Sequence, residues 1–220
     1  GGTRAAMAAT HPMAGAGRFE VHVARDDMKF HCAHFVAYKG FRERLHGHNY
    51  TMAVTMRGAH AVGEWPGYAH DGYVVDFGDI KALARKLCKE LNEHFICPAR
   101  SDVIKVALPS PSEAPGGGQV CLECEDGATF SLPASDCAVL PIVHSTAEEI
   151  AQYLWRRVVA EYGVARLRAR RVTQLEVAVA EAPYQRASFC CDVPEDEAGL
   201  ARALQGEGEG KVVGCSERGE

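Results

Sequence analysis

The chain has 220 residues, 47% hydrophobic and 24% charged, a composition typical of one globular domain with a short extension and unlike disordered or fibrous chains. No apolar run approaches the roughly 20 residues that a membrane-spanning helix needs, and no signal-peptide pattern opens the chain, so we expect a cytosolic protein. The net charge of −5 argues against nucleic acid as a partner, because no basic excess is available to neutralise phosphates.

Composition separates a central domain from two flanking segments. Residues 1–17 are rich in Ala and Gly and lack periodicity, so we interpret them as residues added by an expression vector or as a disordered N-terminal arm. Residues 192–220 carry eight acidic and three basic side chains and predict an aperiodic, acidic Gly/Glu-rich tail. The folded domain is expected over 18–191, with a Pro-, Gly- and Ser-rich insertion at 98–143.

Hydrophobic periodicity predicts strands at both ends of this domain and two helices between them. Alternating apolar residues mark strands at 19–23, 28–34, 46–56 (the longest), a hairpin at 119–132, and strands at 173–181 and 186–191.

The two helices are predicted from a different spacing. An i, i+3, i+4, i+7 series from Ile80 to Leu91 predicts a helix that begins after Asp76 and ends near His94. The capping box Ser145-x-x-Glu148 predicts the start of a second helix, which ends at a glycine. Together these elements indicate an α+β fold in which an antiparallel sheet carries two helices on one face.

The nine cysteines are odd in number and irregularly spaced, which favours reduced thiols over disulfides. Cys121 and Cys124, with Cys137 and His144, could in principle form a structural zinc site. Because both thiols of the Cys-x-x-Cys pair fall in the predicted hairpin, packing is the favoured interpretation.

Three histidines have spacings that suit a metal centre. His46 and His48 lie two residues apart in a predicted strand, so both imidazoles point to one face. His34 ends the preceding strand, and an antiparallel return can bring it beside that pair. Three imidazoles with an open fourth position are typical of catalytic zinc. The alternative is that these are polar residues at the end of a sheet, satisfied by water.

The sequence around these histidines resembles that of the 6-pyruvoyl tetrahydropterin synthase family. The similar segments are 30–35 (Phe-His-Cys-Ala-His-Phe), 44–50 (Arg-Leu-His-Gly-His-Asn-Tyr), 71–77 (Asp-Gly-Tyr-Val-Val-Asp-Phe), 145–148 (Ser-Thr-Ala-Glu) and 177–183 (Val-Ala-Val-Ala-Glu-Ala-Pro). The resemblance implies the T-fold, in which trimers close a barrel from their sheets and two trimers stack into a homohexamer, with pterin sites between subunits. It also implies Zn2+ on His34, His46 and His48.

Glu181 ends an apolar strand face, where an unpaired carboxylate is costly, so it needs a partner. One candidate is an ion pair with Arg186. The other is the amino-pyrimidinone edge of a pterin, a planar donor pair that a carboxylate meets with two hydrogen bonds, and the family's pterin-anchoring Glu falls on this position. Ser145 and Thr146 are candidates for polar contacts to the ring, or for the N-cap of the second helix, and the two roles are compatible.

The sequence departs from the family in the loop before the histidine pair. Ordinary family members carry a Cys there, but residues 36–45 contain none, and Glu43 stands three residues before His46. The sequence of this loop resembles that of a Glu-bearing subgroup of the family known from malaria parasites. That subgroup implies cleavage of the side chain of 7,8-dihydroneopterin triphosphate to 6-hydroxymethyl-7,8-dihydropterin, a folate precursor. The alternative is that Glu43 is a solvated loop charge.

A second departure follows the first helix, where the family usually reads Leu-Asp-His and residues 91–94 read Leu-Asn-Glu-His. Without a gap, Glu93 replaces the proton-transfer histidine; with a shift of one residue, Glu93 and His94 keep a carboxylate beside an imidazole. Such a shift turns a helical position by roughly 100°, so both residues are candidates for proton transfer.

These features predict a zinc-dependent lyase acting on a dihydropterin, with Glu43, Glu93 and His94 as catalytic candidates. It would break either a carbon–oxygen bond, eliminating phosphate, or a carbon–carbon bond. Two alternatives remain open: a zinc- and pterin-binding protein without catalysis, and an enzyme similar to 6-carboxytetrahydropterin synthase.

Overall fold

The computed structural model of the chain describes residues 18–58, 72–110 and 118–205. The strands in these residues are β1 Phe19–His34, β2 Ala37–Tyr38, β3 Phe41–Arg42, β4 His46–Gly58, β5 His94–Pro98, β6 Ile104–Ala107, β7 Gln119–Cys124, β8 Thr129–Pro133, β9 Cys137–Leu140, β10 Val172–Ala182 and β11 Gln185–Asp192. The helices are α1 Phe77–Leu91, α2 Ala147–Tyr162, α3 Val164–Ala169 and α4 Glu197–Gln205, with a short 3-10 helix at Ala134–Asp136.

A six-stranded sheet in the order β11-β10-β4-β1-β5-β9 forms the centre of the fold. Strands β11, β10, β4 and β1 pair antiparallel, as their alternating patterns predict. However, β5 runs parallel to β1 and β9 runs parallel to β5, so the sheet is mixed and the purely antiparallel prediction is wrong at this edge. The strand β5 is a short, almost fully buried run, which period-two alternation cannot identify.

β1 is a single strand of 16 residues where the sequence predicts two, and it is longer than the 13-residue β4. Its register with β4 shifts between Ala24 and Lys29, where polar residues interrupt the alternation. Val23 is buried before this bulge, whereas Met28, Phe30, Cys32 and His34 are buried after it. Four residues of β1 oppose one residue of β4 in this bulge, and the three extra residues, being odd in number, reverse which side chains face the core. This reversal points His34 to the same face as the core.

The main hydrophobic core lies between one face of the sheet and helices α1 and α2, as predicted. Phe30 and Tyr50 stack at the centre of this face, with ring centroids 4.9 Å apart. The indole of Trp155 donates a hydrogen bond to the carbonyl of Leu175 at 2.8 Å, which ties α2 to β10. The helices bury matching apolar stripes that include Ile80, Leu87, Ile150 and Leu154.

The ends of both helices follow local capping rules. The Asp76 side chain accepts a hydrogen bond from the backbone N–H of Gly78, which confirms that α1 begins after Asp76. α1 ends at Leu91, three residues earlier than predicted. At α2 the capping box is displaced by one residue, because Thr146 is the N-cap and Glu149, not Glu148, reaches back to the N–H groups of 143 and 144.

The segment 98–143 contributes more structure than its composition suggests. The predicted hairpin is present as β7 and β8, and β6 extends it to a three-stranded sheet. This small sheet packs over a second hydrophobic cluster of Phe35, Ala37, Phe95, Cys97, Ile104, Val120, Leu122 and Cys124. β9 instead joins the central sheet beside β5.

The cysteines of the described residues are all free thiols. Cys121 is exposed and Cys124 is buried, as expected for strand positions that face opposite sides. Among the residues that the structure describes, no metal-binding group forms around this pair, and packing explains the buried thiol.

The C-terminal region is not aperiodic throughout, contrary to the sequence interpretation. Residues 197–205 form α4, and Val193 and Leu200 are buried in the main core. The Glu197 carboxylate accepts a hydrogen bond from the N–H of Val164 at 3.1 Å, and Arg168 donates to the carbonyl of Pro194 at 2.8 Å. These contacts make the segment 193–202 part of the folded domain.

Replacing Leu200 by Ala is therefore expected to lower the free energy of unfolding by about 2–4 kcal/mol, because it removes buried methyl groups and leaves a cavity. Urea denaturation followed by circular dichroism measures the change. The matched control is Ala201→Gln on the exposed side of α4, for which we expect a change within about 0.5 kcal/mol. Equal stabilities of the two variants would place α4 outside the cooperative unit.

Several predictions from the sequence concern residues outside the described ranges. These are the N-terminal arm 1–17, Asp71 at the start of one family-like segment, and the tail beyond residue 205. Among the helices of the described residues, none combines the length and apolar character needed to cross a membrane.

Candidate functional site

Three histidines converge where β1 and β4 pair. The antiparallel register sets His34 opposite His46 and Cys32 opposite His48, so His34 and both members of the pair project from the same end of the sheet. Their ligand atoms all lie within 4.8 Å of one another, and within the described residues this is the group of His, Cys, Asp and Glu side chains that could hold a metal ion. The convergence predicted from strand alternation is confirmed.

Backbone contacts fix the orientation of two of these rings. The Nδ1 atoms of His34 and His46 lie 2.8 Å from the carbonyl oxygens of Ser145 and Arg44, which assigns the protons to Nδ1 and gives each Nε2 a lone pair that can bind a metal. Burial lowers the pKa of His34 below its usual value, which favours the neutral ring that a metal requires. The donor set therefore fits a divalent ion that prefers nitrogen ligands.

Gly47, between the two histidines of β4, is required by close backbone packing. A Cβ atom at this position would lie 2.9 Å from the carbonyl oxygen of Cys32 on the neighbouring strand. The glycine thus lets β1 and β4 approach each other beside the histidine triad.

Glu181 is connected to the histidines through Tyr50. The Tyr50 hydroxyl lies 3.1 Å from Nε2 of His34 and donates to the Glu181 carboxylate at 3.3 Å. Burial, reinforced by the charge of Glu181, raises the pKa of Tyr50, so its hydroxyl stays protonated. The ion pair between Glu181 and Arg186 that the sequence also allows is not formed, although both residues are described.

Tyr50 is the site residue that the sequence analysis missed. It lies two positions after His48, so strand alternation places it on the face of the two histidines, and that spacing was the available signal. Its ring is fully buried, and its hydroxyl is the group that joins Glu181 to His34.

Ser145 and Thr146 lie next to each other at the start of α2. Ser145 is fully buried; its hydroxyl donates to the carbonyl of Phe35 at 2.8 Å, and its own carbonyl accepts from His34. The Thr146 hydroxyl caps α2. Ser145 thus helps to position His34 and Thr146 fixes the start of α2, and their predicted contact with a substrate stays a prediction.

Glu43 lies in the loop that joins the two ligand-bearing strands. Its backbone N–H donates to the carbonyl of Val36 at 2.9 Å, and its carboxylate accepts from the N–H of Val36 at 2.9 Å. The side chain is half-buried and accepts a hydrogen bond, which differs from the solvated loop charge considered as an alternative. The structure gives Glu43 no hydrogen bond to the histidines.

Glu93 and His94 line a separate cleft of about 430 Å³ that also reaches His48 and Asn49. Glu93 has a left-handed backbone (φ 63°) in the turn after α1, and His94 begins β5. Nδ1 of His94 lies 2.7 Å from the carbonyl of Asn92, so a backbone group orients this imidazole. Both candidates thus face a cleft that includes one histidine of the triad, and Glu43 does not line it.

A larger open cleft of about 920 Å³ lies at the ends of β4 and β10. Its lining includes His48, Asn49, Glu181, Tyr184 and Arg186. A space of this size accommodates a small-molecule substrate beside the histidine site.

The open mixed sheet, the two helices on one of its faces and the histidine triad at its end define a T-fold protein with a candidate metal centre. A family model described as 6-pyruvoyl tetrahydropterin synthase matches residues 23–190, and the chain belongs to this family. Members of the family are lyases that act on pterins.

Relatives of known structure and a curated relative agree with this assignment. The structure of 6-pyruvoyl tetrahydropterin synthase from Plasmodium vivax is 37% identical, with a TM-score of 0.70, and covers 81% of this chain and 100% of its own. The Plasmodium falciparum protein is 38% identical with the same TM-score and coverage. A Methanocaldococcus jannaschii protein, provisionally named as a 6-carboxy-5,6,7,8-tetrahydropterin synthase, is 28% identical over 57% of this chain and 68% of its own.

Two further solved structures are variants of the Plasmodium vivax protein. In each, a glutamate described as a catalytic residue is replaced, by alanine in one and by cysteine in the other. Both are 36% identical to this chain, with a TM-score of 0.70.

Proposed function

We propose that the chain is a zinc-dependent lyase that cleaves the side chain of 7,8-dihydroneopterin triphosphate to give 6-hydroxymethyl-7,8-dihydropterin. The observation that carries the proposal is that Glu181 and the histidine triad are joined by Tyr50 in one site beside an open cleft. Similarity to a protein with a catalytic glutamate supports the choice of Glu43 in place of the family thiol.

In this proposal Glu181 anchors the pterin. Its carboxylate accepts two hydrogen bonds from the amino-pyrimidinone edge, and the Tyr50 hydroxyl holds one of its oxygens in place. Because the pterin ring is planar and the carboxylate contact is bidentate, the ring has one orientation and its side chain extends toward the histidines. The choice of Glu181 rests on this geometry and on the family resemblance.

The triad would hold the zinc through the Nε2 atoms of His34 and His46 together with His48. When bound there, zinc would supply Lewis-acid chemistry toward the oxygens of the substrate side chain. The carbonyls of Ser145 and Arg44 keep the rings in the orientation that this requires.

Cleavage between C1′ and C2′ of the side chain needs two proton transfers. A base removes the proton of the 2′-hydroxyl, the carbon–carbon bond breaks with its electron pair moving into the dihydropterin ring system, and an acid returns a proton to C1′. We assign the first transfer to Glu43 and the second to Glu93 or His94. The released fragment is a two-carbon aldehyde that keeps the triphosphate.

The open edges of the central sheet support assembly into a larger oligomer. β11 and β9 each have one unpaired edge within the described residues, so neighbouring copies can extend the sheet. We propose the family arrangement, in which three copies close a barrel and two barrels stack.

Turnover of 7,8-dihydroneopterin triphosphate by the zinc-loaded chain, with products identified by mass, tests the function. We expect 6-hydroxymethyl-7,8-dihydropterin, which has two carbons fewer than the 6-pyruvoyl product of triphosphate elimination. A 6-carboxy product would favour the activity named for the Methanocaldococcus relative. Zinc and pterin binding without any product would leave only a binding protein.

A further inference from the structure

The loop that carries Glu43 is held by a distant part of the chain, the turn of the β7–β8 hairpin (residues 124–128, the hairpin turn). At the loop tip, the N–H of Gly40 donates to the Glu125 carboxylate at 3.2 Å. Two residues later, Nε of Arg42 donates to the Asp126 carboxylate at 2.8 Å. The turn belongs to the 98–143 segment, for which neither the sequence nor the proposed function gives a role.

Arg42 is the centre of this contact. Its guanidinium carbon lies 5.7 Å from the ring centroids of both Phe35 and Phe130, which themselves stack at 5.0 Å. The side chain of Arg42 is 19% exposed and packs against both rings, whereas that of Asp126 is 46% exposed, so the two rings cover only the Arg42 side of the ion pair. One ring comes from the end of β1 and the other from β8, so the guanidinium joins the catalytic domain to the insertion.

The contact continues directly to Glu43. NH1 of Arg42 donates to the carbonyl oxygen of Glu43 at 2.8 Å. Glu43 in turn exchanges two hydrogen bonds with Val36, one through its backbone and one through its carboxylate. Asp126, Arg42, Glu43 and Val36 therefore form an unbroken series of charged and backbone hydrogen bonds.

The hairpin turn is itself well ordered. The N–H of Ala128 donates to the Asp126 carboxylate at 3.1 Å, and Gly127 adopts the left-handed backbone that the turn needs (φ 80°). The Ala128 N–H and the Arg42 guanidinium both hold the pKa of Asp126 below its usual value. Asp126 thus presents a charged carboxylate in a fixed direction.

We propose that Arg42 and Asp126 are positioning residues, through which the hairpin of the insertion holds the Glu43 loop in the geometry that turnover requires. The inference rests on the proposed function in one respect, namely that Glu43 transfers a proton. It gives the 98–143 segment a role: its small sheet supports the catalytic loop from outside the histidine site.

The test compares Asp126→Asn with a matched control on the same hairpin in the full-length, zinc-loaded chain. Asp126→Asn keeps the shape of the side chain and removes its charge. The control is Glu123→Gln, because Glu123 pairs with Lys105 at 3.0 Å and both side chains are largely exposed. Hydrogen exchange of the amides of residues 36 and 43, zinc content, KM and kcat are measured for each.

For Asp126→Asn we expect amide exchange at residues 36 and 43 to become about 3- to 10-fold faster and kcat to fall by a similar factor, with KM and zinc content unchanged. Glu123→Gln should match the wild type in all four measurements. Unchanged exchange would overturn the proposal. Faster exchange with unchanged kcat in Asp126→Asn would also overturn it. The order that Asp126 gives the loop would then not be needed for turnover.

A double variant separates this inference from the assignment of Glu43. If the hairpin acts through Glu43, adding Asp126→Asn to Glu43→Gln should lower kcat no further, because the group being positioned is already absent. A full additional loss in the double variant would overturn the positioning role. Unchanged turnover in Glu43→Gln alone would instead contradict the proposed role of Glu43 in proton transfer, whereas the exchange measurements, made without substrate, report on the loop independently.

Discussion

His46→Ala is expected to abolish metal binding at stoichiometric concentration and turnover with it. The candidate site has three histidines, and structural zinc sites gain about 10–16 kcal/mol from four ligands, so losing one ligand costs about 2.5–4 kcal/mol, or roughly 10²- to 10³-fold in affinity. Zinc content after dialysis against a competing chelator measures the effect. Circular dichroism should stay near that of the wild type, because the His46 ring is exposed at the end of β4.

The matched control is His22→Ala. His22 lies on the same sheet, and its Nδ1 atom is 2.9 Å from the hydroxyl of Thr55, away from the triad. This variant should keep one zinc per chain. Wild-type affinity in His46→Ala would show that the metal ligands are elsewhere.

Glu43→Gln is expected to lower kcat by about 10²- to 10⁴-fold while zinc content and pterin binding are preserved. The amide keeps the size of the side chain and can still meet the N–H of Val36, but it cannot carry a proton. Steady-state kinetics together with isothermal titration of a pterin separate the catalytic loss from a loss of binding.

Glu43→Cys is the informative companion, because it restores the thiol that other family members carry. We expect incomplete recovery of activity, since the loop places residue 43 only three positions before His46, and a shift of product toward the 6-pyruvoyl compound. Full turnover in Glu43→Gln would instead assign the proton transfer to Glu93 or His94 and leave Glu43 with its structural contact to Val36.

The metal centre was predictable from sequence because a strand has a period of two. That period places His46, His48 and Tyr50 on one face whatever the rest of the chain does. The alternation over residues 28–34 likewise gives His34 its place beside that pair. The local pattern does not show that residues 19–23 and 28–34 belong to one strand, because the bulge near residues 25–28 that joins them depends on the pairing partner.

The remaining differences arise from contacts between parts of the chain that are distant in sequence. β5 is a short buried run whose parallel pairing with β1 follows from tertiary structure, and α4 gains its place from the burial of Leu200. The contact between Arg42 and Asp126 spans 84 residues and leaves no periodic signal. Composition and periodicity therefore located the ligands but not the elements that hold the neighbouring loop.

The most direct test of the central claim is a crystal structure of the zinc-loaded chain with bound 7,8-dihydroneopterin. We predict zinc on His34, His46 and His48, the pterin edge on the Glu181 carboxylate, and the Glu43 carboxylate within about 2.6–3.2 Å of a side-chain hydroxyl. A pterin bound away from Glu181, or a Glu43 carboxylate that stays on the N–H of Val36 without approaching the substrate, would contradict the account.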